Sequence, residues 1–139
     1  MKTISLNFRG YWLESHKASV PEASGVYCVY AGTYRVETDR VSLRELIYVG
    51  ESSDVRDRLS NHERLKDWKR RLRAGETLCY SVAEVSSDDR DRAEAAVIYR
   101  HKPPCNTEYV NRFPFESTTI QTSGRNRFLE AVFTVYTKR

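Results

Sequence analysis

The chain is poor in the residues that staple or partition a protein. Among its 139 residues there are only three cysteines, Cys28, Cys79 and Cys105. They are odd in number, far apart and in no Cys-x-x-Cys pair, which excludes a disulfide frame or a zinc cage and predicts reduced thiols in a cytoplasmic protein. Glycine (6) and proline (4) are sparse, and no repeat or low-complexity segment interrupts the chain. No apolar run approaches the length of a membrane span, and the first residues lack the apolar stretch of a secretory signal, so no membrane partner is expected. The length suits one domain, residues 1–139, with a core large enough to stand without staples. No zinc finger, helix-turn-helix or second DNA-reading module fits beside it.

What is present is an ordinary soluble balance: 40% hydrophobic and 30% charged residues, with a formal charge of +4. Alternating apolar residues predict a first strand over 4–13. The β-branched and aromatic run 26–30 and the short apolar run 46–50 predict a hairpin, with the polar stretch between them as a long arm or loop. Ser52, Ser53 and Asp54 offer N-caps for a helix over 54–73, closed by Gly75. Residues 77–85 alternate as a further strand. A second helix, capped by the 86–89 stretch, runs to His101 and stops before Pro103 and Pro104. Residues 118–122 and 128–137 predict a terminal hairpin turned at Ser123 and Gly124. The expected class is α+β: a small mixed or antiparallel sheet with helices packed on it, a core over about 25–106, an N-terminal strand, and a C-terminal hairpin extension over about 117–138.

Certain polar residues fall in apolar places. On the second helix, Glu94 lies within the arc of Ala93, Val97 and Ile98. A carboxylate there needs either a neighbouring arginine or a hard divalent cation. On the first helix, Arg58 and His62 are i,i+4 neighbours between Val55, Leu59 and Leu65. They form either a solvated edge or a phosphate clamp with a base beside it. Beyond them Arg64, Lys66, Lys69, Arg70, Arg71 and Arg73 stand against Asp67. Such a run is either a solvated face or a surface for a phosphate backbone.

These residues carry a family resemblance. Gly25-Val26-Tyr27 and Tyr48-Val49-Gly50 resemble the paired strand motifs of the GIY-YIG nuclease superfamily. Arg58 matches its catalytic arginine, His62 its following His or Tyr, Glu94 its metal-binding glutamate and Asn106 the asparagine that closes the core motif. Two departures stand out: the stretch between Tyr27 and Tyr48 is lengthened by an insertion near residues 33–44, and Glu51 replaces a common lysine.

The resemblance implies a stand-alone, metal-dependent endonuclease that hydrolyses phosphodiester bonds in DNA with one Mg²⁺ or Mn²⁺ per site. Glu94 would hold the metal, and Arg58 would contact the scissile phosphate. Tyr27 would be the base, with His62 or Tyr48 in a proton relay; His62 could itself be the base, charged or oriented by Glu51. Glu51, Arg64, Lys66, Lys69, Arg70, Arg71 and Asn106 would face the substrate, with Asn106 also bonding to backbone. Gly25 and Gly50 would permit close approach of backbone. The chain would act as a monomer or homodimer on branched, single- or double-stranded DNA. The alternative is a weakly active or inactive nucleic-acid-binding module of the same fold. A protein-interaction domain using Phe113, Phe115 and Phe128 is a third reading.

Overall fold

The computed structural model describes residues 1–137; residue 138 of the expected hairpin extension and the last residue of the expected domain lie outside it. The chain forms β1 (Lys2–Leu13), a 3-10 segment (Glu14–Ser19), β2 (Gly25–Arg35), β3 (Arg40–Ser52), α1 (Val55–Ser60), α2 (Leu65–Lys69), β4 (Thr77–Glu84), α3 (Ser87–His101), β5 (Thr118–Gly124) and β6 (Val132–Val135). The class is α+β. One six-stranded mixed sheet has the order β3-β2-β4-β1-β5-β6. All neighbours are antiparallel except β1 and β5, which run parallel.

Both faces of the sheet are buried. Val26, Cys28 and Tyr30 point to one core with Ile4, Leu6, Phe8 and the inner face of α3. Tyr27, Val29 and Ala31 point to the other, closed by Val55, Leu59 and Trp68 of α1 and α2. This period-two division explains why β2 is buried throughout its first eight residues. Burial pushes the Cys28 and Cys79 thiols up to about 12, so both are free cysteines serving as small apolar side chains. Among the described residues no helix is long and apolar enough to cross a membrane.

Three expectations need correction. The hairpin strands are much longer than 26–30 and 46–50, because the inserted residues extend the ladder as far as the Arg35–Arg40 pair. The single helix expected over 54–73 is two short helices. Asp54 caps the first by accepting the Asp57 amide at 3.2 Å, but the chain leaves helical geometry at Asn61 (φ −150°, ψ 68°). The His62 ring then accepts the Arg64 amide at 3.0 Å, a local side-chain bond that replaces a helical one. Finally, β5 and β6 pair antiparallel as the terminal hairpin predicts, but over a shorter length. The expected strand 128–137 is extended only over Val132–Val135, and its partner β5 lies along β1.

Candidate functional site

Tyr27 and Tyr48 come from adjacent strands near the β3 edge of the sheet. Their rings are 6.3 Å apart between centroids. Tyr27 is buried, and Tyr48 is half-buried. A Cβ on Gly50 would lie 2.4 Å from the Tyr27 hydroxyl oxygen, so only glycine lets that ring cross the β3 backbone. A Cβ on Gly25 would lie 2.3 Å from the Ala83 carbonyl oxygen, which fixes the close approach of β2 and β4.

The break between α1 and α2 turns His62 inward against Trp68, with ring centroids 4.3 Å apart. His62 Nε2 and the Tyr27 hydroxyl are 2.9 Å apart. Because Nδ1 accepts the Arg64 amide, the neutral ring carries its proton on Nε2 and donates it to Tyr27. Burial, followed by the charge of Arg58, pushes His62 down to about 4. The ring is thus neutral at pH 7 and has no spare lone pair. Glu51 does not charge or orient it, since that carboxylate pairs with Arg90 of α3. The nearest carboxylate to His62 Nδ1 is Glu63, at 3.9 Å.

Arg58 is engaged. Its two terminal nitrogens each donate to a Glu63 carboxylate oxygen at 2.6 Å, a bidentate fork. This pair holds Glu63 down at about 2 and raises Arg58 further. Burial and the neighbouring Tyr48 raise the Tyr27 phenol; Arg58 opposes them, while Glu94 and Glu63 add to the rise. Burial also raises Tyr48, followed by Glu94, with Arg64 and Arg58 opposing. The charges of Glu94 and Arg58 therefore both reach both phenols.

Glu94 is half-buried on α3. Among the described residues it has no hydrogen bond and no ion pair. Burial raises it to about 8, with Glu51, Asp91 and Glu108 adding to the rise and Arg90 opposing it. Of those carboxylates, Glu51 is taken by Arg90 and Asp91 accepts the Tyr109 hydroxyl. An unpaired carboxylate inside a negative field fits a hard divalent cation that keeps most of its waters. It does not form an all-protein cage: among the described residues no three His, Cys, Asp or Glu groups converge as one.

The remaining expected residues divide. Asn106 bonds to backbone. Its amide accepts the Val49 N–H at 3.0 Å and donates to the Val49 carbonyl at 2.9 Å, bracing β3 beside Tyr48. Half of the basic run has a carboxylate partner: Arg64 and Arg70 share Asp67 and Arg71 pairs with Glu45, while the Arg73 side chain has none among the described residues. Arg64 also donates to the Cys105 carbonyl. Lys66 and Lys69 are exposed and have no such partner among the described residues. Phe113 is core, Phe115 is half-buried, and Phe128 alone of the three is exposed.

Three residues of the cluster carried little sequence signal. Glu63 is five residues from Arg58, a spacing that brings no pair together on an intact helix. Trp68 reads as core and is core, yet it also forms the wall behind His62. Arg90 precedes Glu94 by one helical turn, so its proximity was legible, but its choice of Glu51 was not. Ring contacts bring Tyr27, Tyr48 and His62 together, and the charges of Arg58 and Glu94 act on both phenols, Glu94 from α3. No protein-family model, curated protein or solved structure matches the chain.

Proposed function

We propose that the chain is a metal-dependent endonuclease of the GIY-YIG type that hydrolyses phosphodiester bonds in DNA. The observation that carries this reading is Glu94: a half-buried carboxylate without a partner, whose charge acts on the same two tyrosines as that of Arg58. A purely structural glutamate in that position would be paired.

In this reading Glu94 holds one Mg²⁺ or Mn²⁺, which supplies Lewis-acid stabilisation of the leaving oxygen. Arg58 binds the scissile phosphate through the fork that Glu63 occupies in the free protein, so the phosphate displaces a carboxylate of similar shape. Tyr27 first gives up its phenolic proton to solvent water; as phenolate its oxygen then takes the proton of the water that attacks phosphorus as the leaving oxygen departs. The His62 Nε2–H and the Arg58 charge stabilise that phenolate, and burial opposes it. His62 is then a donor that positions Tyr27, not the base. Tyr48, with its hydroxyl unbonded among the described residues, lies on the substrate side.

Plasmid nicking in Mg²⁺ tests this. Wild type should nick, EDTA should stop it, and Arg58→Ala should lose ~100-fold or more. Glu94→Ala should lose the metal response altogether. Cleavage that persists in Glu94→Ala would remove the metal assignment. A gel shift without nicking by wild type would leave the binding-module alternative.

A further inference from the structure

A cleft of about 800 Å³ opens at the far end of the long hairpin, where Tyr11, Trp12, Tyr34, Arg40 and Arg125 contribute to its walls. A smaller cleft of about 320 Å³ also borders Tyr11 and adds Arg127. Neither includes a residue of the Tyr27–Glu94 cluster. At about 3.3 Å per residue, the run of β2 from Tyr27 to Tyr34 puts the cleft roughly 23 Å from that cluster.

Unpaired arginines also occur outside these clefts, at Arg35, Arg73 and Arg112, which have no carboxylate partner among the described residues. Arg44, Arg56, Arg58, Arg71, Arg90 and Arg100 each pair with a glutamate. Arg40, Arg125 and Arg127 have no carboxylate partner among the described residues, and the one aspartate on the cleft wall, Asp39, accepts the Tyr34 hydroxyl at 2.7 Å. Yet the loop bearing two of these arginines is held firmly. The Arg125 amide donates to the Phe8 carbonyl at 2.8 Å. The Arg127 amide donates to the Tyr11 hydroxyl at 3.2 Å, and the Arg127 carbonyl accepts the Tyr30 hydroxyl at 2.8 Å. The Arg125 guanidinium lies over the Tyr11 ring at 5.9 Å and that of Arg127 over Phe128 at 5.1 Å. Fixed backbone, unneutralised guanidinium groups and half-buried aromatic walls suit a ligand that alternates anionic groups with flat π faces.

We propose that these two clefts, which share Tyr11 and Val41, together bind an unpaired nucleic-acid strand, with phosphates on Arg40, Arg125 and Arg127 and bases against Tyr11, Trp12 and Tyr34. The inference deepens the nuclease reading and rests on it for the choice of nucleic acid over other polyanions: the clefts would hold the strand away from the cut. A duplex has no base faces to offer these rings, whereas a single strand has one per nucleotide.

The test is fluorescence anisotropy with a labelled oligo-dT and a duplex of equal length, using the whole protein with divalent cations chelated. Wild type should bind the single strand more tightly. Arg125→Gln with Arg127→Gln should lower the slope of log affinity against log salt by about 1.4. Tyr34→Leu should weaken binding roughly five- to hundredfold. Unchanged affinity in the arginine pair overturns the proposal. So does equal binding of duplex, or displacement by inorganic polyphosphate together with indifference to Tyr34→Leu. Nicking that persists while oligonucleotide binding ignores the arginines sinks the clefts alone. Oligonucleotide binding that follows these variants without any nicking sinks the hydrolase alone.

Discussion

His62 shows how one side chain sets both the shape and the chemistry of the candidate site. Its ring is neutral because burial, reinforced by Arg58, lowers its proton affinity to about 4. An unfolded histidine titrates near 6.5. Between these values the unfolded chain binds more protons than the folded one, so stability is lost as pH falls from about 6.5 through 4. The loss is on the order of 3 kcal/mol when complete. Urea unfolding should show it in wild type, and His62→Gln should lack that part of the acid sensitivity; parallel pH profiles would contradict the buried neutral ring. Glu63 also controls how available Arg58 is. Its fork on Arg58 is a partly exposed ion pair, a type worth about 0.2–1 kcal/mol. Glu63→Gln should therefore tighten DNA binding by up to roughly fivefold and speed nicking at low DNA concentration. Weaker binding by the variant would show that Glu63 supports the arginine and does not compete for it. Glu94 was legible in the sequence because a carboxylate on an apolar arc is costly wherever the helix goes. Glu63 was not, because its partnership depends on a break in the helix.

The break between α1 and α2 leaves no trace in the apolar pattern. Val55, Leu59, Leu65, Trp68 and Leu72 keep a helical spacing across it, and all five still face one core. Apolar spacing therefore gave no sign of the interruption. A polar contact made it, through the His62 ring on the Arg64 amide. Helix α3 and the strands were legible because their patterns have no such competitor, although strand lengths were underestimated where polar residues extend the ladder beyond the core. Asn106 was legible as backbone support, but what it braces depends on the edge it covers. Strand β3 lies at a sheet edge. The Cys105 amide donates to the Ile47 carbonyl at 3.0 Å, and the Asn106 amide bonds both peptide groups of Val49. This segment pairs an otherwise open strand edge on either side of Tyr48. Asn106→Ala should cost about 1–3 kcal/mol from the two lost bonds. Because Tyr48 loses its brace, nicking should fall even at temperatures where the variant is fully folded. Thermal unfolding run beside the nicking assay separates the two effects: a lower melting temperature with an unchanged rate would make the brace purely structural.

Across the whole molecule, the expected division into a core over 25–106 with added end segments does not describe how the chain is held. Strand order has no local signature, so the parallel pairing of β1 with β5 was not legible; it is decided by which apolar faces can be buried together. Strand β1 changes neighbours along its length. From Phe8 to Leu13 it pairs with β4, and from Lys2 to Phe8 with β5. Its first half therefore has β5 as its ladder partner, and Ile4 and Leu6 share their core with Ile120, Leu129, Phe133 and Val135. Deleting one large buried apolar side chain typically costs 2–5 kcal/mol, on the order of half the stability of a small domain. A chain ending at Glu116 loses four such side chains and the partner of β1 together. It should show no cooperative thermal transition, and Ile120→Ala alone should lower the unfolding free energy of the full chain by about 2–5 kcal/mol. If the shortened chain instead melted cooperatively near the full-length temperature, β5 and β6 would be a detachable module, and the site at the opposite edge of the sheet would owe them nothing. Loss of folding would mean that the edge bearing Tyr48 and the end bearing Arg125 belong to one cooperative unit, so that ordering the loop between β5 and β6 and positioning Glu94 are consequences of the same core.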